Sequence, residues 1–375
     1  MTGSPFEFDT ADAMGYHEEA LWVLDLLSKK QLHIYWVYIK ENYSDLGYVA
    51  YLTFIYSFLA KSVLLVRLIK AVLSAYTCVL IYKIAKRNFG NSVANIAGIS
   101  SLLLPNFIYY CGLHLKETEM IFILVFFIER ADYLLREKEL KLFTLFTILL
   151  SGGALFFFRT VLGIAALLAF ITAFTFSTNR YLGIRKKIGL GTIAVLFIIL
   201  MSGGAISNEI NSLLEQNKTN QSVSMQARAK RVSGNKLAVY GSAVVFAPFM
   251  LLGPFPTLVD IKTQQNQMLM NGGYFVRNVF VFFLFIGLIT LVNMKQIKNH
   301  LLIIVFTFSY LVVIALSKFA ISERFHFPVL PFIVILSSYG ITELNTKNKQ
   351  YYIPYLVLVF FIIVGWNYFK LAGRE

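Results

Sequence analysis

The sequence predicts an all-α fold, a polytopic transmembrane helical bundle of about 10–12 membrane segments with extracytoplasmic loops. Its 375 residues are 57% hydrophobic and only 14% charged, whereas a soluble domain usually carries about a quarter charged residues. Many apolar runs approach the ~20 residues that cross a bilayer as a helix. Because these runs are continuous and do not alternate as barrel strands do, helices are the expected spanning form.

The apolar runs divide the chain into four regions. Residues 1–61 are predicted as a first extracytoplasmic loop with interfacial helices, and residues 62–206 as transmembrane helices. Residues 207–274 are predicted as a long extracytoplasmic loop, and residues 275–375 as the C-terminal transmembrane helices. The predicted spans lie near 62–82, 92–110, 117–135, 142–158, 160–176, 189–206, 275–293, 301–317, 325–343 and 352–370, with shorter apolar stretches at 46–60 and 238–259.

Lysines and arginines orient these spans. They fill alternate short gaps, from Lys83 to Arg87 after the first span to Lys347 and Lys349 before the last, and the positive-inside rule places such gaps in the cytoplasm. The net charge of +14 is thus a topology signal, and no nucleic-acid partner is expected. Residues 1–61 then face outward. Because the chain opens with a polar, acidic stretch and no signal peptide, we expect a further span ahead of it.

The outward segments carry acidic residues. Asp9 and Asp12 are three positions apart and would share one face of a helix, with Tyr16 and His17 close behind. A solvated loop is the simpler interpretation of this acidic segment. In the next outward turn, Glu117 begins an apolar run, where it could either cap the helix or act at the membrane surface.

The same face carries cations. Arg159 separates two apolar runs, at a depth where a charge costs about 2.5–3.5 kcal/mol on insertion scales. Lys318, Arg324 and His326 occupy a later outward turn, where Glu323 could simply neutralise Arg324. Because a guanidinium offers a bidentate fork to phosphate, these cations predict a phosphate-binding site.

Carboxylates and cations on one face suit a group transfer. A carboxylate can act as general base on an acceptor hydroxyl or amine, and cations can stabilise a phosphate leaving group. The bilayer can supply a substrate with a long lipid tail. The alternatives are a polysaccharide flippase or polymerase and a transporter, although charges in mid-span and internal repeats, expected of a transporter, are scarce. The sequence identifies no cofactor with certainty, and a divalent metal stays open.

Three stretches carry a resemblance to a known family. They are Asp12-Ala-Met-Gly-Tyr-His-Glu-Glu-Ala20, the span from Val66 to Arg87 followed by Leu104-Pro105 and Lys116-Glu117-Thr118, and Glu323 to Pro331 followed by Ser338-Tyr-Gly340. In order and spacing they resemble the GT-C superfamily of membrane glycosyltransferases. Within this superfamily, they most resemble the family 39-like branch, which includes protein mannosyltransferases and aminoarabinose transferases.

The resemblance implies a polyprenyl-phosphate sugar donor, an active site on the outer face and inverting transfer. It assigns the catalytic carboxylate to Asp12, a second carboxylate to Glu117 and a phosphate contact to Arg324. From the residues themselves, Lys318 and Arg159 are added as phosphate contacts, and Asp9, Tyr16, His17 and His326 as secondary candidates. The acceptor is expected to be a lipid, a glycan or a protein, and the location a bacterial cytoplasmic membrane. Ala13 departs from the branch, which has an adjacent acidic residue there.

Overall fold

The structure is a computed structural model that describes residues 6, 11–39, 45–59, 61–136, 141–176, 249–258, 267–316 and 323–372. All regular elements in these ranges are helices, which confirms the predicted all-α fold class. The chain forms two compact units. Unit 1 comprises Met1–Leu80 and Phe107–Glu209, and unit 2 comprises Ile81–Asn106 and Ile210–Glu375.

The helices of the first half are α1 (Ala11–Ser28), α2 (Leu32–Ile39), α3 (Leu46–Phe58), α4 (Val63–Phe89), α5 (Asn91–Leu103), α6 (Pro105–Gly112), α7 (Glu117–Arg136), α8 (Leu142–Phe158) and α9 (Thr160–Phe176). Those of the second half are α10 (Phe249–Leu252), α11 (Gln267–Asn293), α12 (Leu301–Leu316), α13 (Glu323–His326), α14 (Leu330–Thr342), α15 (Thr346–Lys349) and α16 (Tyr352–Ala372). Short 3₁₀ helices cover Ile297–Asn299 and Phe327–Val329. Helices α4 and α6 cross the division between the units.

Four helical stretches within the described ranges are long and apolar enough to cross a membrane: Val63–Phe89, Leu269–Asn293, Arg324–Thr342 and Thr346–Tyr368. Helices α5 and α6 pass the same test as a pair, with a 44° bend between them. The bend lies at Leu104, because a proline disfavours helical backbone in the residue before it and Pro105 follows.

Shorter apolar helices account for several of the remaining predicted spans. They are Leu46–Phe58, Leu142–Phe158, Thr160–Phe176 and Leu301–Ala315. The predicted span 189–206 lies outside the described residues, as does most of the predicted loop 207–274. The predicted span 117–135 is helix α7.

Helix α7 forms the centre of unit 1, where it packs against α8 and α9. Its core side chains, such as Met120, Leu124 and Phe127, are completely buried. The packing is close at Gly152 of α8, where an added Cβ would lie 3.2 Å from the ring of Phe127. This helix also buries acidic residues at its N-terminal end, and that end positions the candidate site.

In unit 2 the main packing is between α11 and α14. Helix α14 is buried along almost its whole length. The two helices approach each other at Gly287 and Gly340, which lie against backbone atoms of the opposite helix. Small residues at a helix crossing let two backbones come close together, as is common in membrane helix pairs.

Candidate functional site in unit 1

The turn between α6 and α7 carries the densest group of buried ionisable residues that the structure describes. The turn is held by Lys70 of α4, whose ammonium is fully buried. Lys70 Nζ donates a hydrogen bond of 2.7 Å to the carbonyl oxygen of Leu113 and another to that of Leu115. A lysine from a membrane-length helix therefore fixes the path of the chain just before Glu117.

Lys116 connects this turn to two other helices. Its buried ammonium donates to the carbonyl oxygen of Phe158, at the end of α8, over 3.0 Å. It also forms an ion pair with Asp45, the residue that precedes α3. Asp45 has a left-handed backbone, with φ of 79°, and accepts a 3.2 Å hydrogen bond from the Tyr16 hydroxyl. Non-glycine residues in this conformation are uncommon and concentrate at functional sites.

Two carboxylates stand at the start of α7. Glu117 is fully buried, and its Oε1 lies 4.0 Å from Nη2 of Arg159. Glu119 is 2% exposed, and its Oε2 lies 3.5 Å from Lys70 Nζ. The positive end of the helix dipole favours negative charge at this position. Each carboxylate thus has a cationic partner, as buried charges require.

A histidine and aromatic group lies beside these charges. The ring of His114, which is fully buried, stands 6.0 Å from that of His17 and 6.1 Å from that of Tyr48, measured between centroids. His17 Nδ1 lies 2.8 Å from the Tyr56 hydroxyl. Burial, together with the positive charges of Lys70, His17 and Arg67, lowers the pKa of His114 to about 3. His114 is therefore neutral at physiological pH.

The environment of His17 is less extreme. Burial lowers its pKa, and the negative charge of Glu18 opposes that shift. With its Nδ1 against the Tyr56 hydroxyl, His17 is oriented toward the same aromatic group.

The structure brings some of the predicted site residues together. Glu117, Arg159, Tyr16 and His17 all take part in the contacts of unit 1 described above. Asp12 lies in the first turn of α1, where it is exposed.

The other predicted site residues lie elsewhere in the chain. Arg324 is partly exposed in α13 of unit 2. His326, at the end of the same helix, is buried and its Nδ1 lies 3.2 Å from Nη2 of Arg277. Asp9 and Lys318 lie outside the described residues.

Several residues of this cluster were not among the sequence predictions. They are Asp45, Tyr48, Lys70, His114, Lys116 and Glu119. Lys70 had the clearest signal, because a lysine within an apolar run marks a functional position by default. Asp45 offered no such signal, since an acidic residue ahead of an apolar run is a common helix cap, although its side chain makes no capping hydrogen bond here.

A divalent metal stays an open prediction. Among the residues that the structure describes, no three or more histidine, cysteine, aspartate or glutamate side chains are placed to share a metal ion.

The membrane-length helices and the buried ionisable cluster define the class of this chain, a helical multi-pass integral membrane protein. No family model and no curated protein matches the sequence. Among solved structures, the chain is similar to ArnT from Cupriavidus metallidurans, crystallised with bound undecaprenyl phosphate, at 14% sequence identity and a TM-score of 0.49. The match covers 83% of this chain and 52% of that one, so this chain spans about half the length of ArnT.

Proposed function

We propose that this chain is an integral membrane glycosyltransferase that moves a sugar from a polyprenyl-phosphate donor to a lipid, glycan or protein acceptor. The observation that carries the proposal is the buried cluster around the turn Leu113–Lys116. It places two carboxylates, Glu117 and Glu119, among three cations on one side of unit 1. A transfer from a lipid phosphate needs both a proton acceptor and a countercharge for the leaving group.

The proposed reaction is a single displacement with inversion. The acceptor hydroxyl gives its proton to the carboxylate of Asp12 as its oxygen bonds to the anomeric carbon of the sugar. The bond between that carbon and the phosphate oxygen breaks, and the lipid phosphate leaves with the electron pair. Asp12 is exposed in the structure, as a base that must meet an incoming acceptor should be.

The leaving phosphate needs positive charge. Arg159 is nine-tenths buried, and its Nη2 lies 4.0 Å from Oε1 of Glu117. Guanidinium binds phosphate through two parallel hydrogen bonds. Arg324 is proposed as a further phosphate contact because of the family resemblance, and Lys318 because of its place in the same predicted outward turn. With the predicted outward orientation, this reaction takes place on the extracytoplasmic face of the membrane. In a bacterium, this is the outer face of the cytoplasmic membrane.

The test uses purified protein in lipid nanodiscs with radiolabelled polyprenyl-phosphate sugars and an acceptor extract. Transfer is expected to release free lipid phosphate and labelled acceptor in equal amounts. Asp12→Asn should lower the rate by about 100-fold or more, the scale of a lost general base. Asp25→Asn is the matched control, since Asp25 lies on the same helix and is paired with Lys29 in solvent, with half of its side chain exposed. Full activity in Asp12→Asn would refute the assignment.

A transporter is the second candidate, and one observation favours it. Lys70 is a fully buried charge within a membrane-length helix, which is where transporters place coupling residues. The same nanodisc assay separates the two functions, because a transporter would leave the donor chemically unchanged. In proteoliposomes it would instead move the labelled lipid or sugar across the bilayer.

A further inference from the structure

Lys70 is the least expected residue of the cluster. It stands in helix α4, seven residues after the first residue Val63, and its side chain has no exposed surface. Its neighbours Leu68 and Val72 are largely exposed, as lipid-facing residues should be. Lys70 therefore points into unit 1 while the opposite side of α4 faces outward.

The ammonium of Lys70 has three hydrogen-bond donors and no acceptor. Two of them are used on the backbone, at the carbonyl oxygens of Leu113 and Leu115. The third donor is available to Glu119, whose Oε2 lies 3.5 Å from Lys70 Nζ. Because residues 113–116 have no helical hydrogen-bond ladder of their own, these bonds from Lys70 replace part of it.

The fixed turn continues directly into the residues proposed to act. Lys116 ends the turn and donates to the carbonyl oxygen of Phe158, the residue before Arg159. Glu117 begins α7 and stands 4.0 Å from Arg159. A shift of the turn would thus move both members of the Glu117 and Arg159 pair relative to each other.

We propose that Lys70 is a positioning residue: by binding the carbonyls of Leu113 and Leu115, it sets the distance between Glu117 and Arg159 on which transfer depends. This inference rests on the proposed function for its catalytic part and on geometry alone for its structural part. Lys70 acts through the turn and not by touching donor or acceptor. Its loss is expected to slow the chemical step and to leave donor binding almost unchanged.

The experiment compares Lys70→Met with Lys29→Met. Methionine keeps the length and apolar stem of lysine and removes all three donors. Lys29 is an exposed lysine of the same unit, paired with Asp25 at 2.7 Å, so its loss should change nothing at the turn. The first measurement is hydrogen–deuterium exchange by mass spectrometry on peptides covering residues 109–120. Lys70→Met should exchange there about 10-fold faster than wild type, while peptides from α8 and α9 keep their protection.

The second measurement is steady-state transfer from the polyprenyl-phosphate donor. Lys70→Met should lower kcat by about 30-fold or more with the KM for the donor within about threefold, as expected when only the transition state is affected. A merely structural role would lower the folded fraction and spread faster exchange over all of unit 1. Wild-type protection at residues 109–120, or a wild-type kcat, would overturn the proposal.

A second variant covers the case in which Lys70→Met does not fold. Lys70→Arg keeps the charge beside Glu119 and changes the geometry of the donors, because the guanidinium is planar and longer. It should fold, exchange faster at the turn and lose kcat to a smaller extent, and an unchanged kcat would again overturn the proposal. If wild-type protein shows no transfer at all, the proposed function fails. The exchange measurement still decides whether Lys70 holds the turn.

Discussion

Replacing Gly340 by alanine should separate the two main helices of unit 2. Gly340 lies where α14 crosses α11, and a Cβ built on it would overlap the carbonyl oxygen of Phe283. The same Cβ would lie 2.7 Å from the Phe283 carbonyl carbon and 2.9 Å from the backbone nitrogen of Gly287. These are backbone atoms of the opposite helix, which cannot turn aside as a flexible side chain would.

The expected cost follows from this geometry. Overpacking a close-packed interior typically costs about 1–3 kcal/mol, and alanine returns up to about 1 kcal/mol through its higher helix propensity. Because relief here requires a whole helix to move, we expect the upper end of the range. The net loss of unfolding free energy should be about 2 kcal/mol.

The assay is reversible or kinetic unfolding in one defined detergent or bicelle, followed by circular dichroism and by intrinsic fluorescence. Gly365→Ala is the matched control, because Gly365 lies within α16 and a Cβ there would meet no heavy atom within 4 Å. That control should be neutral or slightly more stable than wild type. If Gly340→Ala were as stable as Gly365→Ala, the close backbone crossing of α11 and α14 would be wrong.

Two further predictions concern individual buried side chains. The folded-state pKa of His114, about 3, lies below the ordinary value of 6.5, so the unfolded chain binds a proton first and stability falls as the pH drops through 6.5. His114→Leu should remove about 2 kcal/mol of this loss between pH 7 and pH 5, measured as the pH dependence of the unfolding free energy. An unchanged pH dependence in His114→Leu would contradict this. The side chain of Asn367 accepts a hydrogen bond from the Leu258 amide at 2.6 Å and donates one to the Pro256 carbonyl at 3.0 Å. Asn367→Ala should therefore lower the free energy of unfolding by about 1–3 kcal/mol, measured by thermal unfolding. An unchanged transition temperature would contradict this.

Hydrophobic length was a good guide to the helices. The predicted runs 142–158 and 160–176 coincide with α8 and α9, because Lys141 precedes the first apolar run and Arg159 separates the two. The run 92–110 was predicted as one span, and the structure breaks it at Leu104 into two helices. The hydropathy of the run does not reveal such a break, because it does not reflect the backbone restriction that Pro105 imposes on Leu104.

The candidate site was harder to predict, because its contacts join residues far apart in sequence. Lys70 binds the carbonyl of Leu113, 43 positions later, and Lys116 binds that of Phe158, 42 positions later. Hydrophobic periodicity and residue spacing predict which face of a helix a side chain occupies, but they do not predict which residue of another helix it will contact. The sequence identifies Glu117 and Arg159 as unusual residues on the outward side. That these two charges lie next to each other follows only from the packing around α7.

The depth of the cluster bears on the choice between enzyme and transporter. Lys70 stands seven residues inside α4, which is about 10 Å along the helix axis at 1.5 Å per residue. Glu117 is the first residue of α7, and Arg159 falls in the break between α8 and α9. With the orientation that the basic gaps predict, these charges would all lie near the outer ends of their helices. The phosphate of a membrane lipid would be found at that depth, whereas a site for translocation is expected near the bilayer midplane. This placement supports chemistry on a lipid-phosphate headgroup over passage through the bundle.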